Sequence, residues 1–471
     1  MTGAAAHRAG GGAAGHGTGL PADVSRILVL GASRSGSAAA AGVRALGLDV
    51  VLSDRKEASA IPGLEQLIAT GVEFRTEERL ASDWPDVQLV IKSPGVPNQA
   101  WMVGAARDRG LPVWSEIELA YALLPNPFDA VTGTNGKTTT TALLGHLFES
   151  AGRPVRVLGN IGTAVTSVVG SAAPDEELVV EVSSFQLEDV HSFRPAAGVF
   201  LNLTPDHLDR HGSMEGYLAC KATLFARQGP GDVAVLNLAD PAVAALGRGL
   251  REKPQGPRVS FFAVSPDTEW HGARPDSWVE AGWLVLEHER LLPADGLRIP
   301  GRHNLENALA AAAAALGRGV PRAAVAEGLR TFRGVPHRLE PVDTVAGVLY
   351  VNDSKATNVD ATLTALRAYP EGTHLILGGR DKASDYRPVA RACARGCRGV
   401  YLIGEATPLV ADAFAQVRGE EGMASVPQPM ECDDLETAVR TAASRARSGE
   451  TVLLAPACAS FDQYSGFEER G

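Results

Sequence analysis

The sequence predicts an α/β protein of three consecutive units, each built on a largely parallel sheet. Three observations predict it. The chain has 471 residues, enough for two to four domains. Short, continuous apolar runs recur along it, as buried parallel strands require. Helical patterns alternate with those runs, which is the order of βαβ units.

The first unit opens with "RILVLGASRSGSAAAAGVRALGLDVVLSD". It reads as strand, Gly-containing turn, Ala-rich helix, strand. Ile27–Leu30 is the buried run, and Asp54 closes the second strand. "VQLVIKSPGVP" adds a strand ending in a Ser-Pro-Gly turn. Open sheets of this grammar bind ligands at their strand ends, so residues 23–124 are expected to form a Rossmann-like domain. The second unit, residues 125–334, starts with "FDAVTGTNGKTTTTALLGHLFESAG", a strand, loop and helix with Gly152 as the stop. "ELVVEVSSFQL" and "AAGVFLNLTPDHLD" are further strands that end in polar residues. A β-rich insert is expected over Gly231–Pro300, followed by a helix in "GRHNLENALAAAAAALGRG". The third unit, residues 335–471, carries "GVLYVNDS", "THLILGG", "GVYLIGE" and "TVLLAPA" as strands and is again expected to be Rossmann-like. Residues 1–22 are rich in Gly and Ala and lack a continuous apolar core. They are expected to be a disordered tail, not a signal peptide.

Composition narrows the function. With 45% hydrophobic and 21% charged residues the chain has the make-up of a soluble globular protein. A formal net charge of -11 argues against a nucleic-acid surface, which needs clustered Lys and Arg. A small anion in a local pocket remains compatible with it. The five cysteines, Cys220, Cys393, Cys397, Cys432 and Cys458, fit no zinc spacing and are expected to be reduced thiols. Cys393 and Cys397, four apart, are expected on one helix face. The longest apolar stretch, Ala308–Leu316, is far short of the ~20 residues of a membrane helix. A cytoplasmic monomer without membrane contact is the expectation.

"VTGTNGKTTT", residues 131–140, is the first string with chemistry in it. A Walker loop reads G-x-x-x-x-G-K-[ST]. The loop Gly133-Thr134-Asn135-Gly136-Lys137-Thr138 is two residues shorter. The physics survives the shortening. Glycines let backbone N–H groups turn inward, and the next helix offers its positive end to anionic oxygens. Lys137 reaches terminal phosphates, and the Thr138 hydroxyl suits Mg²⁺. A carboxylate at a strand end, Glu181 in "EVSSFQLE", suits the same metal.

This loop and the segments downstream of it resemble the Mur ligases, ATP-dependent amide ligases of peptidoglycan precursor synthesis, over nearly the whole chain after the tail. The resemblance implies a P-loop ATPase-like central domain with ATP and Mg²⁺ as cofactors. It implies that Gly133, Thr134, Asn135, Gly136, Lys137, Thr138 and Thr139 hold ATP together with Asn304, Arg338 and Asp353. It assigns Thr138, Glu181, His207 and Lys221 to the metal site, and Lys137, Glu181, His207 and Lys221 to catalysis. His207, in "LNLTPDHLDRHG", also faces the incoming amine, and Lys221, in "LACKATLF", matches the lysine that the family carbamylates. Carbamylation has a physical reason: a bare ammonium repels Mg²⁺, whereas CO₂ turns a neutral amine into an anionic oxygen donor.

In the third unit "HRLEPV", "VNDSKATN", "LGGRDK" and "APACASFDQYSGFEERG" resemble the members that add D-glutamate to UDP-N-acetylmuramoyl-L-alanine. The resemblance gives Thr357, Lys382, Ser460 and Phe467, with His207, the D-glutamate. A dianionic amino acid wants one cation and several neutral donors. It gives the UDP-sugar Gly31, Ser35, Asp54, Arg55, Ser93 and Gly95 of the first unit, with Asn160 and Ser183 of the second. Ser33 stands where the family's turn has a Gly. Arg34 and Arg55 read either as diphosphate or uracil contacts or as solvated side chains. Relatives normally continue past "FEERG"; the nearness of Ser460 and Phe467 to Gly471 makes fraying an expectation there. ATP is expected between the second and third units, so that reaction needs closure.

Two other readings stand beside this one. A folylpolyglutamate synthase or another Mur ligase would carry a different third-unit pocket, and "DSKATN" argues against it. A nucleotide-binding switch would lack Glu181, His207, Lys221 and the UDP unit.

Overall fold

The computed structural model describes residues 19–160, 162–264, 270, 274–382 and 384–471. The stretch expected as a tail, 1–22, lies outside the described residues as far as residue 18. Its last part is placed: Gly19 N donates to Ala122 O (3.1 Å), and Leu20 packs on the first core. The architecture is three-domain α/β, and among the described residues it rests on sheets of five, nine and six strands. By packing, the chain forms two compact units. One runs to Gly296 and takes in Leu305–Arg330; the other comprises Leu297–Asn304 and Thr331–Gly471.

The first sheet contains β1 (Arg26–Leu30), β2 (Asp49–Asp54), β3 (Glu73–Thr76), β4 (Leu89–Lys92) and β5 (Val113–Ser115). Its order is β3-β2-β1-β4-β5, all parallel. The apolar run of β1 is buried on both faces: Ile27 and Val29 enter one core, Leu28 and Leu30 the other. The order reverses between β1 and β4, and ligands of open sheets sit at such a reversal, beyond the carboxyl ends.

The second sheet contains β6 (Phe128–Thr132), β7 (Val155–Gly159), β8 (Glu177–Glu181), β9 (Ala197–Phe200), β10 (Val233–Asn237), β11 (Arg258–Ala263), β12 (Ser277–Glu280), β13 (Trp283–Leu286) and β14 (Glu289–Pro293). Its order is β14-β13-β12-β11-β10-β9-β6-β8-β7. β6 therefore ends between β8 and β9. The segment Gly231–Pro300, expected to be a β-rich insert, is only partly that. β10, β11 and β12 extend the parallel sheet around the helix Pro241–Arg251, and only the pairings of β13 with β12 and with β14 are antiparallel. The helix is favoured locally by Asp240, whose carboxylate accepts from Ala242 N and Val243 N.

The third sheet contains β15 (Glu340–Val345), β16 (Val348–Asn352), β17 (Thr373–Gly378), β18 (Cys397–Ile403), β19 (Met430–Glu431) and β20 (Thr451–Leu454), in the order β15-β16-β20-β17-β18-β19. Only β15 is antiparallel to its neighbour. β20 inserts between β16 and β17, so three loops far apart in sequence leave adjacent strand ends. Cys393 and Cys397 do not share a helix face. Cys393 ends the helix Arg387–Cys393, and Cys397 opens β18 after a turn. All five thiols are free, as expected.

Candidate active site

The short phosphate loop joins β6 to the helix Lys137–Ser150. Gly133 (φ 150°) and Gly136 (φ 84°) have backbone that L side chains rarely adopt, and a Cβ on Gly136 would meet Asn307 Oδ1 at 2.4 Å. The end of β9 holds the loop in place. Thr134 N donates to Asn202 O (3.0 Å), Asn135 N to Asn202 Oδ1 (2.8 Å), and Thr134 Oγ1 to Thr204 O (3.2 Å). No side chain caps the helix, so its positive end faces the loop. Lys137 Nζ folds back onto Gly133 O (3.0 Å) and Thr134 O (2.8 Å). Thr139 is buried in the first turn of the helix.

Glu181 lies at the end of β8, beside this helix. Its carboxylate accepts from Thr138 Oγ1 (2.8 Å) and from Asn160 Nδ2 (2.9 Å). Thr138 and Glu181, predicted as metal ligands, therefore sit together as hard oxygen donors, which fits Mg²⁺. Lys221 comes from the helix Met214–Ala222 and is only 1% exposed. Its Nζ donates to Gly133 O (2.9 Å) and lies 4.6 Å from the Tyr217 ring centroid. Burial, with the nearby Lys137 charge, pushes the ammonium down to about 7. An amine in that state is neutral often enough to react with CO₂.

His207 stands on a separate short element. It starts the short helix Leu208–His211 with φ 51°, is half exposed, packs on Phe185 with ring centroids 4.8 Å apart and the rings tilted by 58°, and faces Asp206 at 3.4 Å. Among the described residues no group of three or more His, Cys, Asp or Glu side chains is placed to hold a metal ion. Of the expected set Thr138, Glu181, His207 and Lys221, the first two are joined by a hydrogen bond and Lys221 bonds the phosphate loop. The members of the set stand on a helix, a strand end, an irregular loop and a second helix, and the loop holds His207 against Phe185. Ser183 caps the helix Ser184–Leu187 through a capping box with Gln186.

At the reversal point of the first sheet, Gly31 has φ 88°, and its carbonyl accepts from Ser93 Oγ (2.8 Å). The helix Arg34–Ala45 starts there without a side-chain cap. Asp54 is engaged with backbone, accepting from Ala32 N (2.7 Å) and Lys56 N (2.9 Å). Ser35, Ser93 and Gly95 border the same turn region, and Arg34 and Arg55 are exposed.

In the third sheet the loops after β16, β17 and β20 meet. Lys382 Nζ donates to Thr357 O (3.2 Å), and Arg380 and Ala459 form a two-way backbone bridge, N to O at 2.8 and 3.0 Å. Ser460, next to Ala459, is buried. Phe467 O accepts from Ser354 Oγ (2.8 Å), and the Lys355 ammonium lies 5.4 Å from the Phe467 ring centroid. Phe467–Arg470 is helical, and Gly471 O accepts from Asn352 Nδ2 (3.0 Å). Asp353 is buried and pushed up to about 6 by burial, with Arg338 opposing. Arg338 Nε is buried without a hydrogen-bond partner, as a waiting anion contact would be. Asn304 lies in the first turn of the helix Arg302–Gly317, with Asn307 one turn further on. Asn304 Nδ2 donates to Pro300 O (2.6 Å).

Several residues that position these groups were not singled out from sequence. Asn202 holds the phosphate loop, Arg210 and Glu188 tie the Ser93–Gly95 loop to the second sheet, and Arg470 ties the third-sheet loops. Only Lys92 left a signal, a charge ending the apolar run of "LVIK".

These three strand-end clusters, carried on three α/β sheets, define the class of protein. The chain belongs to the Mur ligase family. The family profile described as the Mur ligase middle domain matches residues 131–315, and the one described as the Mur ligase glutamate ligase domain matches 337–458. The chain is 45% identical over 451 residues to the UDP-N-acetylmuramoylalanine--D-glutamate ligase of Pelotomaculum thermopropionicum, covering 95% of each. It is 42% identical over 446 residues to the ligase of that name from Solibacter usitatus, covering 95% of this chain and 96% of the other. In fold it is similar to a UDP-N-acetylmuramate-alanine ligase of Thermotoga maritima, with TM-score 0.57 and 21% identity, covering 92% and 95% of the two chains.

Proposed function

We propose that this chain joins D-glutamate to UDP-N-acetylmuramoyl-L-alanine, forming ADP and phosphate, as a cytoplasmic step of peptidoglycan precursor synthesis. The observation that carries the proposal is the meeting of Lys382 with Thr357 beside buried Ser460. One cation and neutral donors at adjacent strand ends suit a dicarboxylic amino acid. The near-full-length likeness to ligases named for D-glutamate supports the same reading. Among the described residues no helix is long and apolar enough to cross a membrane.

A carboxylate resists attack by an amine because resonance stabilises it. Transfer of the γ-phosphoryl group of ATP onto the L-alanyl carboxylate gives an acyl phosphate with a good leaving group. The amine of D-glutamate attacks its carbonyl carbon, a tetrahedral adduct forms, and inorganic phosphate leaves as the amide closes. The loop Gly133–Gly136 and the helix end behind it hold the phosphates by backbone N–H groups. Lys137 exchanges Gly133 O and Thr134 O for phosphate oxygens. Thr138 and Glu181 would hold Mg²⁺, and a carbamate on Lys221 would add a further anionic donor. When bound, the metal offsets the charge that builds on the transferring group. Gly31, Ser35, Ser93 and Gly95 line the UDP-sugar site, Asn304, Arg338 and Asp353 complete ATP binding, and Phe467 completes the amino-acid site.

The test is phosphate release from purified protein, ATP, Mg²⁺ and UDP-N-acetylmuramoyl-L-alanine. D-glutamate, L-glutamate, diaminopimelate and L-lysine are offered in turn. Turnover with D-glutamate alone is the expected result. Turnover with another amino acid instead assigns the chain to a different member of the family.

A further inference from the structure

Among the described residues Arg470 is a buried cation without an ion-pair partner. It is 2% exposed, and its four hydrogen bonds all end on neutral oxygens. Nε donates to Ser354 Oγ (3.0 Å), Nη1 to Ala459 O (3.3 Å), and Nη2 to Ser354 O (2.9 Å) and Cys458 O (3.1 Å). Asp462, which acts on it electrostatically, accepts instead from Glu405 N (3.0 Å). A buried guanidinium normally has a carboxylate, because the lost hydration is otherwise uncompensated. Here the uncompensated charge lies under the three loops that carry Thr357, Lys382 and Ser460. It bonds two of them directly. The third closes on it too, since a Cβ on Gly379 would meet Ala459 O at 2.2 Å and Arg470 Nη1 at 3.0 Å. Ser354 Oγ, which accepts from Arg470, passes the connection on to Phe467 O.

We infer that Arg470 is the positioning residue of the amino-acid site, holding its loops in register and giving the site a positive potential matched to a dicarboxylate. The inference rests on the ligase reading above. The guanidinium does not touch the amino acid. It fixes the carbonyls of Cys458 and Ala459, and so the place of Ser460, while its charge acts through a low-dielectric interior where screening is weak.

Steady-state kinetics of the full chain test it. Wild-type turnover with D-glutamate is measured first; its absence overturns the ligase reading and this role with it. Given turnover, Arg470→Met is expected to raise the KM for D-glutamate by on the order of tenfold to a hundredfold, the cost of removing a buried charge beside its ligand. The KM values for ATP and the UDP-sugar should stay within about twofold, the margin for sites that share no partner. Arg470→Lys keeps the charge but not the fork, and should fall between wild type and Met. An unchanged D-glutamate KM in Arg470→Met, or three KM values rising together, overturns this role alone. If the Met variant does not fold, Arg470→Lys decides: a selective rise for D-glutamate supports the role, and no rise overturns it.

Discussion

Lys221 shows how far burial changes a single residue. An unperturbed lysine has roughly one neutral molecule in several thousand at pH 7. With its ammonium pushed down to about 7, close to half of Lys221 is neutral there. Carbamate formation, followed by ¹³C NMR in ¹³C-bicarbonate, should therefore rise through a midpoint near pH 7; a midpoint near 10 would remove the argument. Lys221→Ala should lose activity and regain part of it with added short carboxylic acids. Full activity without them would rule out the carbamate. The same shift sets the sign of the stability effect. The folded pKa lies below the unfolded one, so between about pH 7 and pH 10.4 the unfolded chain binds more protons and stability rises with pH. In CO₂-free buffer Lys221→Met should flatten that slope in urea unfolding. Lys137→Ala should cost about 3 kcal/mol of transition-state stabilisation, as loss of one electrostatic stabiliser does. Retained turnover would contradict the phosphate-loop role.

At the scale of elements, two helices start on glycine turns that admit no side chain. A Cβ on Gly136 adds a 2.4 Å approach to Asn307 Oδ1 to a backbone at φ 84°. The left-handed conformation alone costs roughly 1–2 kcal/mol for an L side chain. Gly136→Ala should weaken ATP binding, read by calorimetry, while leaving UDP-sugar binding in place. The first sheet offers the mirror experiment. A Cβ on Gly36 would sit 1.8 Å from Gly31 O and 2.5 Å from Ser93 Oγ, which drives the helix Arg34–Ala45 off its turn. Gly36→Ala should lower UDP-sugar affinity while ATP affinity holds. Loss of both together would place the damage in the fold and not in the turn.

Across the molecule, buried carboxylates pin the first sheet's domain to the second. Lys92 is fully buried between Glu188 (2.7 Å) and Asp189 (2.5 Å). Arg210 pairs with Glu188 (2.6 Å) and donates to Pro94 O (2.9 Å) and Val96 O (3.1 Å). Glu118 accepts from His191 N, Ser192 N and Phe193 N, and Glu116 from Thr166 N (2.7 Å). The loop that carries Ser93 is thereby fixed relative to β8 and Glu181. Removing one partner of such a network leaves the others uncompensated. Lys92→Met should lower stability by about 3–5 kcal/mol in urea unfolding. A loss below about 1 kcal/mol, the range of an exposed pair, would show the network to be solvated.

By itself the sequence determined the repeated parallel sheets, the phosphate loop with its helix, and the third-domain strings. Each is written in contiguous residues: an apolar run, a Gly-Lys-Thr end, a strand followed by Ser-Lys. Local physics fixes such features before any long-range contact forms. Only the tertiary structure decided what strand order brings together. The insertion of β20 between β16 and β17 joins Thr357, Lys382 and Ser460. Burial of Lys221 makes it a weak base. The uncompensated charge of Arg470 and the ionic pins around Lys92 depend on packing between segments up to a hundred or more residues apart. A side chain's desolvation and its neighbours' charges have no local spelling, because both are set by the chain as a whole.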